Sequence, residues 1–480
     1  MSALLDSVRD LLAATAAAAP GAAAEVKAIG ARLDEPLRVA IAGRVKAGKS
    51  TLLNALIGDE LAPTYAGECT RIVTWYRHGH TYRATLHLPD GTTRQTSFTR
   101  QGGPIEVDLA GLDPGDIDHI VIEWPTPRLE HMTLIDTPGI ASASTEVSER
   151  THRFFEASPD GSGAADAVLY LMRHLHSSDI DFLEAFHDGT VASTPVNAIG
   201  LLSRADEIGV GRLDAMRSAN TIAARYRSDP KLRGLCQTVI AVNALLGETG
   251  ATLTQDEYAA LTRLAEAPRG ETDALLLSAD RFCADGVAAG LSGVERTHLL
   301  MRLGMFGVRV SIAALRMGST PTAGKLAQSL VKKSGVDEVR HELFGQFAAR
   351  SDSLRARSAL AALETVLSGH GGDPRLWGEL ERIRSSAHEF AEMAVFNAHR
   401  AGAVDFGKDR PLVDRLLSAG EPRQRLGLDD AASPDQVRSA ALGTIEHFRR
   451  RAENPLSSRG LSEAAHVLVR TCEGMMEAAR

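Results

Sequence analysis

The segment Gly43-Arg44-Val45-Lys46-Ala47-Gly48-Lys49-Ser50 constrains this chain more than any other. The apolar run Leu37, Val39, Ala40, Ile41, Ala42 precedes it, and the helix-prone run Leu52, Leu53, Asn54, Ala55, Leu56 follows. Strand, glycine loop and helix form the context in which G-x4-G-K-S binds phosphate. The glycines let successive backbone N–H groups and a helix N-terminus face one anion. Gly43, Lys46, Ala47, Gly48, Lys49, Ser50 and Thr51 are therefore assigned to the phosphates. In this pattern Lys49 reaches the β- and γ-phosphates and the Ser50 hydroxyl holds Mg²⁺. The loop fixes a phosphate ligand and leaves the base open.

A chain of 480 residues exceeds what one hydrophobic core holds, so two or three domains are expected. With 53 basic and 61 acidic side chains the net charge is −8, which argues against a broad affinity for nucleic acid or for anionic membranes, so any such contact must be local. Cys69, Cys236, Cys283 and Cys472 are scattered without a C-x-x-C pair, the usage of a reducing, cytoplasmic setting. Asp6, Arg9 and Asp10 interrupt the first apolar stretch, unlike a signal peptide. Arg302 and Arg309 interrupt the apolar run from 299 to 312, and no transmembrane helix is predicted.

Residues 1–34 place Leu4, Leu5, Val8, Leu11 and Leu12, then Val26, Ile29 and Leu33, at helical spacing, broken at Pro20-Gly21. That stripe needs a partner, and helices from the far C-terminus are expected to supply it. Residues 35–250 change to short β-rich runs, at 37–42, 72–77, 82–88, 119–124, 131–135, 167–172, 196–202 and 238–242. Asp90-Gly91 sits between two strand-like runs and marks a hairpin. The expected domain is an α/β fold, a mostly parallel sheet covered by helices and extended at one edge by the hairpin. From 251 onward strand signals nearly vanish and helical bundles are predicted, in one region at 251–432 and another at 433–480. The second opens on Ser433-Pro434-Asp435-Gln436, a capped helix start.

Four further elements narrow the nucleotide. Met132, Leu134 and Ile135 lead into Asp136-Thr137-Pro138-Gly139, a D-x-x-G that sets a carboxylate near Mg²⁺ and a glycine N–H near the γ-phosphate. Thr70, in Gly67-Glu68-Cys69-Thr70-Arg71, is preferred over Thr64 as the threonine that joins Mg²⁺ and the attacking water when the γ-phosphate is present. A later apolar run ends in Ser203-Arg204-Ala205-Asp206, where the carboxylate is placed to pair with guanine. Ser and Arg replace the usual Asn or Thr and Lys of N/T-K-x-D, and Arg can still lay its flat head over a base. Asn243, after the next strand, is assigned a backbone N–H contact to the guanine oxygen.

With these elements the sequence resembles the GTPases of the dynamin superfamily, specifically over residues 37–246. The resemblance implies an α/β P-loop GTPase domain joined to an extended all-α helical neck and trunk, GTP or GDP and Mg²⁺ as ligands, and nucleotide-driven remodelling or fission of membranes. It carries Lys49, Ser50, Thr70, Asp136, Gly139 and Asp206 over at their motif positions. Residues 1–34 and 433–480 become the neck, and 251–432 the neck and trunk, with a membrane tip near 317–335. It also implies dimerisation through the GTPase domain, a second dynamin-like partner, and peripheral attachment to the inner face of the plasma membrane. Ile140 stands where small signalling GTPases place a water-orienting Gln, so that group is not used. Lys46 stands where many dynamins carry a Ser associated with a monovalent cation, and its ammonium is assigned to catalysis or to a facing subunit.

Around the expected tip, Lys325, Lys332 and Lys333 frame Leu326, Leu330 and Val331, the composition of a small basic amphipathic contact for an anionic phospholipid surface. Arg449-Arg450-Arg451 is a rival cluster, better read as complementing a helix C-terminus. A regulatory GTPase acting on ribosome or tRNA is the alternative. The balanced charge of the helical region offers it no RNA-binding surface.

Overall fold

The computed structural model describes residues 3–62, 72–100, 105–139, 165–186, 197–209, 211–371, 373–400, 402–418 and 420–478. Among them nine strands form one sheet: β1 (Leu37–Gly43), β2 (Val73–His78), β3 (Arg83–His87), β4 (Thr93–Thr96), β5 (His119–Trp124), β6 (Met132–Asp136), β7 (Ala167–Met172), β8 (Ala198–Leu202) and β9 (Val239–Ala241). Their order is β9-β8-β7-β1-β6-β2-β5-β3-β4. From β9 to β6 the strands run parallel, and β7 is buried at every position, as a strand covered on both faces must be. Beyond β6 the sheet turns mixed. β2 pairs antiparallel to β6 and parallel to β5, and the hairpin β3–β4 closes the edge. Each of the eight expected strands is present, and the hairpin extends the edge foreseen for it.

The helices used below are α1 (Ala3–Ala18), α2 (Ala23–Arg32), α3 (Lys49–Ile57), α4 (Ala244–Thr252), α5 (Gly293–Arg316), α6 (Ala323–Ser334), α7 (Ser351–Gly369), α8 (Pro374–Ser386), α9 (His388–Arg400), α10 (Pro434–Ala452) and α11 (Arg459–Ala478). One face of the sheet packs Leu37, Val39 and Ile41 against Leu52, Leu53 and Leu56 of α3. Val336, Val339, Leu343 and Phe347 share that core, so the chain returns to the nucleotide domain long after residue 250. The expected boundary at 250 is therefore too early. Residues 255–347 form a helical extension of the nucleotide domain rather than the start of a separate arm.

α6 shows why. Gly247 and Gly250 give α4 a face without side chains: a Cβ at Gly250 would stand 2.8 Å from Val331 Cγ2, and one at Gly247 2.5 Å from Val336 Cγ2. α6 lies in that groove, with Leu326 and Leu330 wholly buried beside Leu246, Leu261 and Leu303. Leu326 and Leu330, expected at 317–335 to face lipid, are therefore corrected to core positions. The apolar half of the expected lipid contact is core, worth roughly 1.5–3 kcal/mol per leucine, while Lys325, Lys332 and Lys333 remain exposed. α5 is long and apolar enough to span a bilayer by length and composition alone. Its Leu299, Leu303, Phe306 and Ile312 are nonetheless buried in the same protein core.

The N-terminal stripe finds a nearer partner than expected. Leu4, Val8, Leu11 and Leu12 of α1 and Val26 and Ile29 of α2 pack against Ala356, Leu360 and Leu363 of α7 and Leu376 and Leu380 of α8. The far C-terminal helices do not receive them, because α10 and α11 spend their apolar faces on each other and on residues 395–426. α10 starts at the foreseen capping box, in which Ser433 Oγ accepts the Gln436 N–H and the Gln436 side chain accepts the Ser433 N–H.

Candidate functional site

β1 delivers the phosphate loop. Gly43 has φ +145°, and a Cβ there would stand 2.5 Å from the Leu171 carbonyl oxygen, so the close approach of β1 and β7 at this point admits no side chain. Gly48, at φ +96°, turns the chain into α3, whose first turn carries Lys49 and Ser50. Lys46 sits exposed at the loop tip with φ +63°, an uncommon conformation for a residue with a side chain. Ala47 is buried beneath the loop and its N–H donates to the Arg44 carbonyl at 3.1 Å.

Lys49 Nζ donates to the Gly43 and Arg44 carbonyls at 3.2 and 3.4 Å. Burial holds its ammonium below the usual lysine range, partly offset by Asp136. Burial pushes the Asp136 carboxyl up, with Lys49 and the Ser50 hydroxyl opposing. Ser50 Oγ donates to Asp136 Oδ2 at 2.7 Å, while Asp136 Oδ1 is buried without a hydrogen-bond partner. A hydroxyl and an acceptor-only carboxylate, one of whose oxygens lacks a partner, are the donor set of a hard divalent cation, and Mg²⁺ fits it. Gly139 lies against the loop: a Cβ on it would stand 2.8 Å from Val45 Cα. Thr51 is half-buried on the first turn of α3. Thr64, Thr70 and Ile140 lie outside the described residues.

The base end is built differently. Ser203 is buried and both its N–H and its hydroxyl donate to the Met172 carbonyl, at 2.8 and 3.3 Å, which ties the loop after β8 to β7. Arg204 takes a left-handed φ of +51° and pairs with Glu207 at 2.6 Å, as does Arg173 at 3.1 Å. Asp206 is half-buried, and desolvation pushes its carboxyl above the ordinary value. Asn243 does not serve as expected. Its N–H donates to the Ser334 carbonyl at 2.8 Å, and its Oδ1 caps α4 by accepting the Leu246 N–H at 3.0 Å, so neither is left for a base.

Sequence reading missed a polar cluster that joins α3 to the helical extension. Asn54 Oδ1 accepts the Leu61 and Ala62 N–H groups at 2.9 and 2.7 Å, and its Nδ2 donates to Glu248 Oε1 at 2.8 Å. Beside it Arg302 of α5 pairs with Glu60 at 2.5 Å and Glu257 at 2.8 Å. Burial pushes Glu248 up to about 7. The available signal was Arg302 itself, a charge within an apolar helix. A cavity of about 460 Å³ lies away from the nucleotide loop, where Asp34 to Leu37 meet Ser351 and Arg355 at the root of α7. It marks the joint between the nucleotide domain and the α1–α2–α7 bundle.

A phosphate loop on β1, a carboxylate at the end of β6 beside it and a further carboxylate on the loop after β8 define a P-loop nucleotide-binding protein. The family model described as Dynamin family matches residues 39–186. The isoniazid-induced protein IniC of Mycobacterium tuberculosis is 40% identical over 98% of both chains. The chain accordingly belongs to the dynamin family, as a bacterial dynamin-like GTPase. A bacterial dynamin-like protein of Nostoc punctiforme is 32% identical over 22% of this chain and 16% of its own. A solved structure described as an oligomerised bacterial dynamin pair is matched at a TM-score of 0.31 and 13% identity, over 95% of this chain and 86% of that one, a likeness too low to carry geometry across.

Proposed function

We propose that this protein hydrolyses GTP with Mg²⁺ and couples hydrolysis to the binding and remodelling, including fission, of anionic membranes. The observation that carries the nucleotide half is the Ser50–Asp136 pair at 2.7 Å with a buried, unpartnered carboxylate oxygen beneath the phosphate loop. The residues around this pair would hold Mg²⁺, which would supply positive charge to the phosphates during hydrolysis. Ser50 and Asp136 would hold it, with Thr70 closing the set. Lys49, already desolvated, gives its charge to the phosphates, and Gly139 offers an N–H. Asp206 reads guanine between Ser203, which anchors its loop, and Arg204. Lys46, in its left-handed conformation at the loop tip, is assigned either charge on the bridging oxygen or a contact to a facing subunit in a GTPase-domain dimer.

Membership of the dynamin family supports the membrane half. A second dynamin-like protein and the inner face of the plasma membrane belong to the same reading. With Leu326 and Leu330 in the core, Lys325, Lys332 and Lys333 contribute to an anionic surface through charge alone, about 1 kcal/mol per lysine near the bilayer. Hydrolysis of GTP and ATP measured with and without anionic liposomes tests the whole. GTP-selective turnover with tubulation or fission of the vesicles supports it, and equal turnover of ATP with vesicles left intact contradicts it.

A further inference from the structure

The long helix α5 is broken once, at Gly304, whose φ of +63° and ψ of 170° lie in a region open essentially to glycine alone. The break does not fall at random along the helix. A Cβ on Gly304 would stand 3.6 Å from Asp206 Oδ2 and 3.7 Å from Leu245 Cδ2. The kink therefore sits between the loop after β8, which carries Asp206, and the first turn of α4, which carries Leu245. Just beyond it, a Cβ on Gly211 would stand 3.4 Å from the Phe306 nitrogen. Arg309 Nη1 donates to the Gly211 carbonyl at 2.7 Å, and its Nη2 to the Leu276 carbonyl at 2.6 Å. The base-reading loop is thus backed by α5 at Asp206 and held to it again at Gly211.

We infer that Gly304 is a specificity-determining position for the nucleotide base: its left-handed break lets the helical extension form one wall of the guanine pocket and hold Asp206 in place. The inference rests on the reading of Asp206 as the guanine acceptor. Both Cβ distances are ordinary van der Waals contacts, so space for a methyl exists. What alanine lacks is the backbone conformation. Gly304→Ala therefore perturbs the kink rather than filling the pocket, and α5 shifts relative to Asp206. A carboxylate displaced from the base edge loses its pairing with the guanine N1–H and exocyclic amine together, while phosphate contacts made on β1 and α3 persist.

The test uses the full chain and a fluorescent GDP displaced by GDP, IDP or XDP. Gly304→Ala is expected to weaken GDP about tenfold and IDP, which lacks the exocyclic amine, less, so that the GDP:IDP preference narrows. In turnover the KM for GTP rises while kcat holds. A parental GDP:IDP ratio in folded Gly304→Ala overturns the inference, and a lower melting temperature with that ratio intact assigns Gly304 to packing alone. If Gly304→Ala is insoluble, Arg309→Gln, which releases Gly211, decides: a narrowed ratio supports the wall and a parental ratio overturns it. Asp206→Asn runs alongside. If it fails to move preference from GDP toward XDP, the guanine reading itself falls, whatever Gly304 does.

Discussion

The two ends of the proposed nucleotide site are made in different ways. The phosphate end is local: backbone N–H groups, Lys49 and Ser50 come from one strand–loop–helix unit, and Asp136 ends the strand beside it in register with Ile41. The base end is assembled from distant parts. Asp206 lies on one loop, α6 occupies the Asn243 N–H, and α5 stands behind Asp206 and the start of α4 with its break at Gly304. Damage to the first end should abolish chemistry. Damage to the second should blur recognition and stability, because its parts are held by packing between elements.

The largest expected effect lies at the phosphate end. Lys49→Ala or Ser50→Ala should lower kcat for GTP on the order of 10²–10³-fold, since each removes a group acting on charge that develops in the transition state. Melting temperature should stay close to the parent's. Steady-state hydrolysis at saturating Mg²⁺ and GTP checks this, and a kcat within threefold of the parent would break the contrast between the two ends.

Next comes the packing that supports the base end. Leu330→Ala removes a wholly buried side chain between α6 and α4 and should cost about 2–5 kcal/mol of stability. Denaturant unfolding reads the loss, and the GDP:IDP preference should fall with it. By contrast, changing Lys325, Lys332 and Lys333 together to Glu should leave stability within about 0.5 kcal/mol, because all three are exposed. That variant should weaken co-sedimentation with anionic liposomes, and unchanged binding would remove these lysines from the membrane contact.

A smaller effect depends on pH. Glu248, facing Asn54, Glu60 and Arg302, has its carboxyl raised from 4.5 to about 7, chiefly by burial. The folded state therefore holds this proton more tightly than the unfolded chain does. The stabilisation is complete below the unfolded value and is lost as pH climbs through about 7. At 1.36 kcal/mol per pKa unit the span is about 3 kcal/mol. Glu248→Gln, which keeps an oxygen for Asn54 and never ionises, should melt close to the parent at pH 5 and a few degrees higher at pH 8. Parallel pH profiles for the two proteins would show that Glu248 stays ionised.

The same division explains what could be read from the sequence. The strands were legible because parallel strands buried on both faces are continuous apolar runs, and the phosphate loop because its residues are contiguous. Asp136 followed from an apolar run ending in D-x-x-G. Asp206 stands where the sequence puts it, just after a buried strand, because that position does not depend on Ser203 and Arg204 matching the usual pattern, and its role toward guanine is the one proposed. The misplacements share one cause. Leu326 and Leu330 on an amphipathic helix fit a lipid surface and a protein groove equally well, and what chose the groove was Gly247 and Gly250 on α4, remote in sequence. Asn243 lost its N–H to Ser334 by the same docking. The N-terminal stripe likewise matched any apolar helix, and α7 and α8 took it because α10 and α11 were satisfied by each other. Gly304 looked like one more glycine until the loop behind it was seen.

The central question is whether Asp206 reads guanine at a site that hydrolyses the nucleotide. The most direct measurement is kcat/KM for GTP and XTP, with Mg²⁺, in the parent and in Asp206→Asn. The parent should prefer GTP, and the variant should lose about 10–100-fold on GTP while gaining on XTP, because an amide can pair with the xanthine oxygen that the carboxylate repels. A variant that keeps the parental preference for GTP over XTP would contradict it.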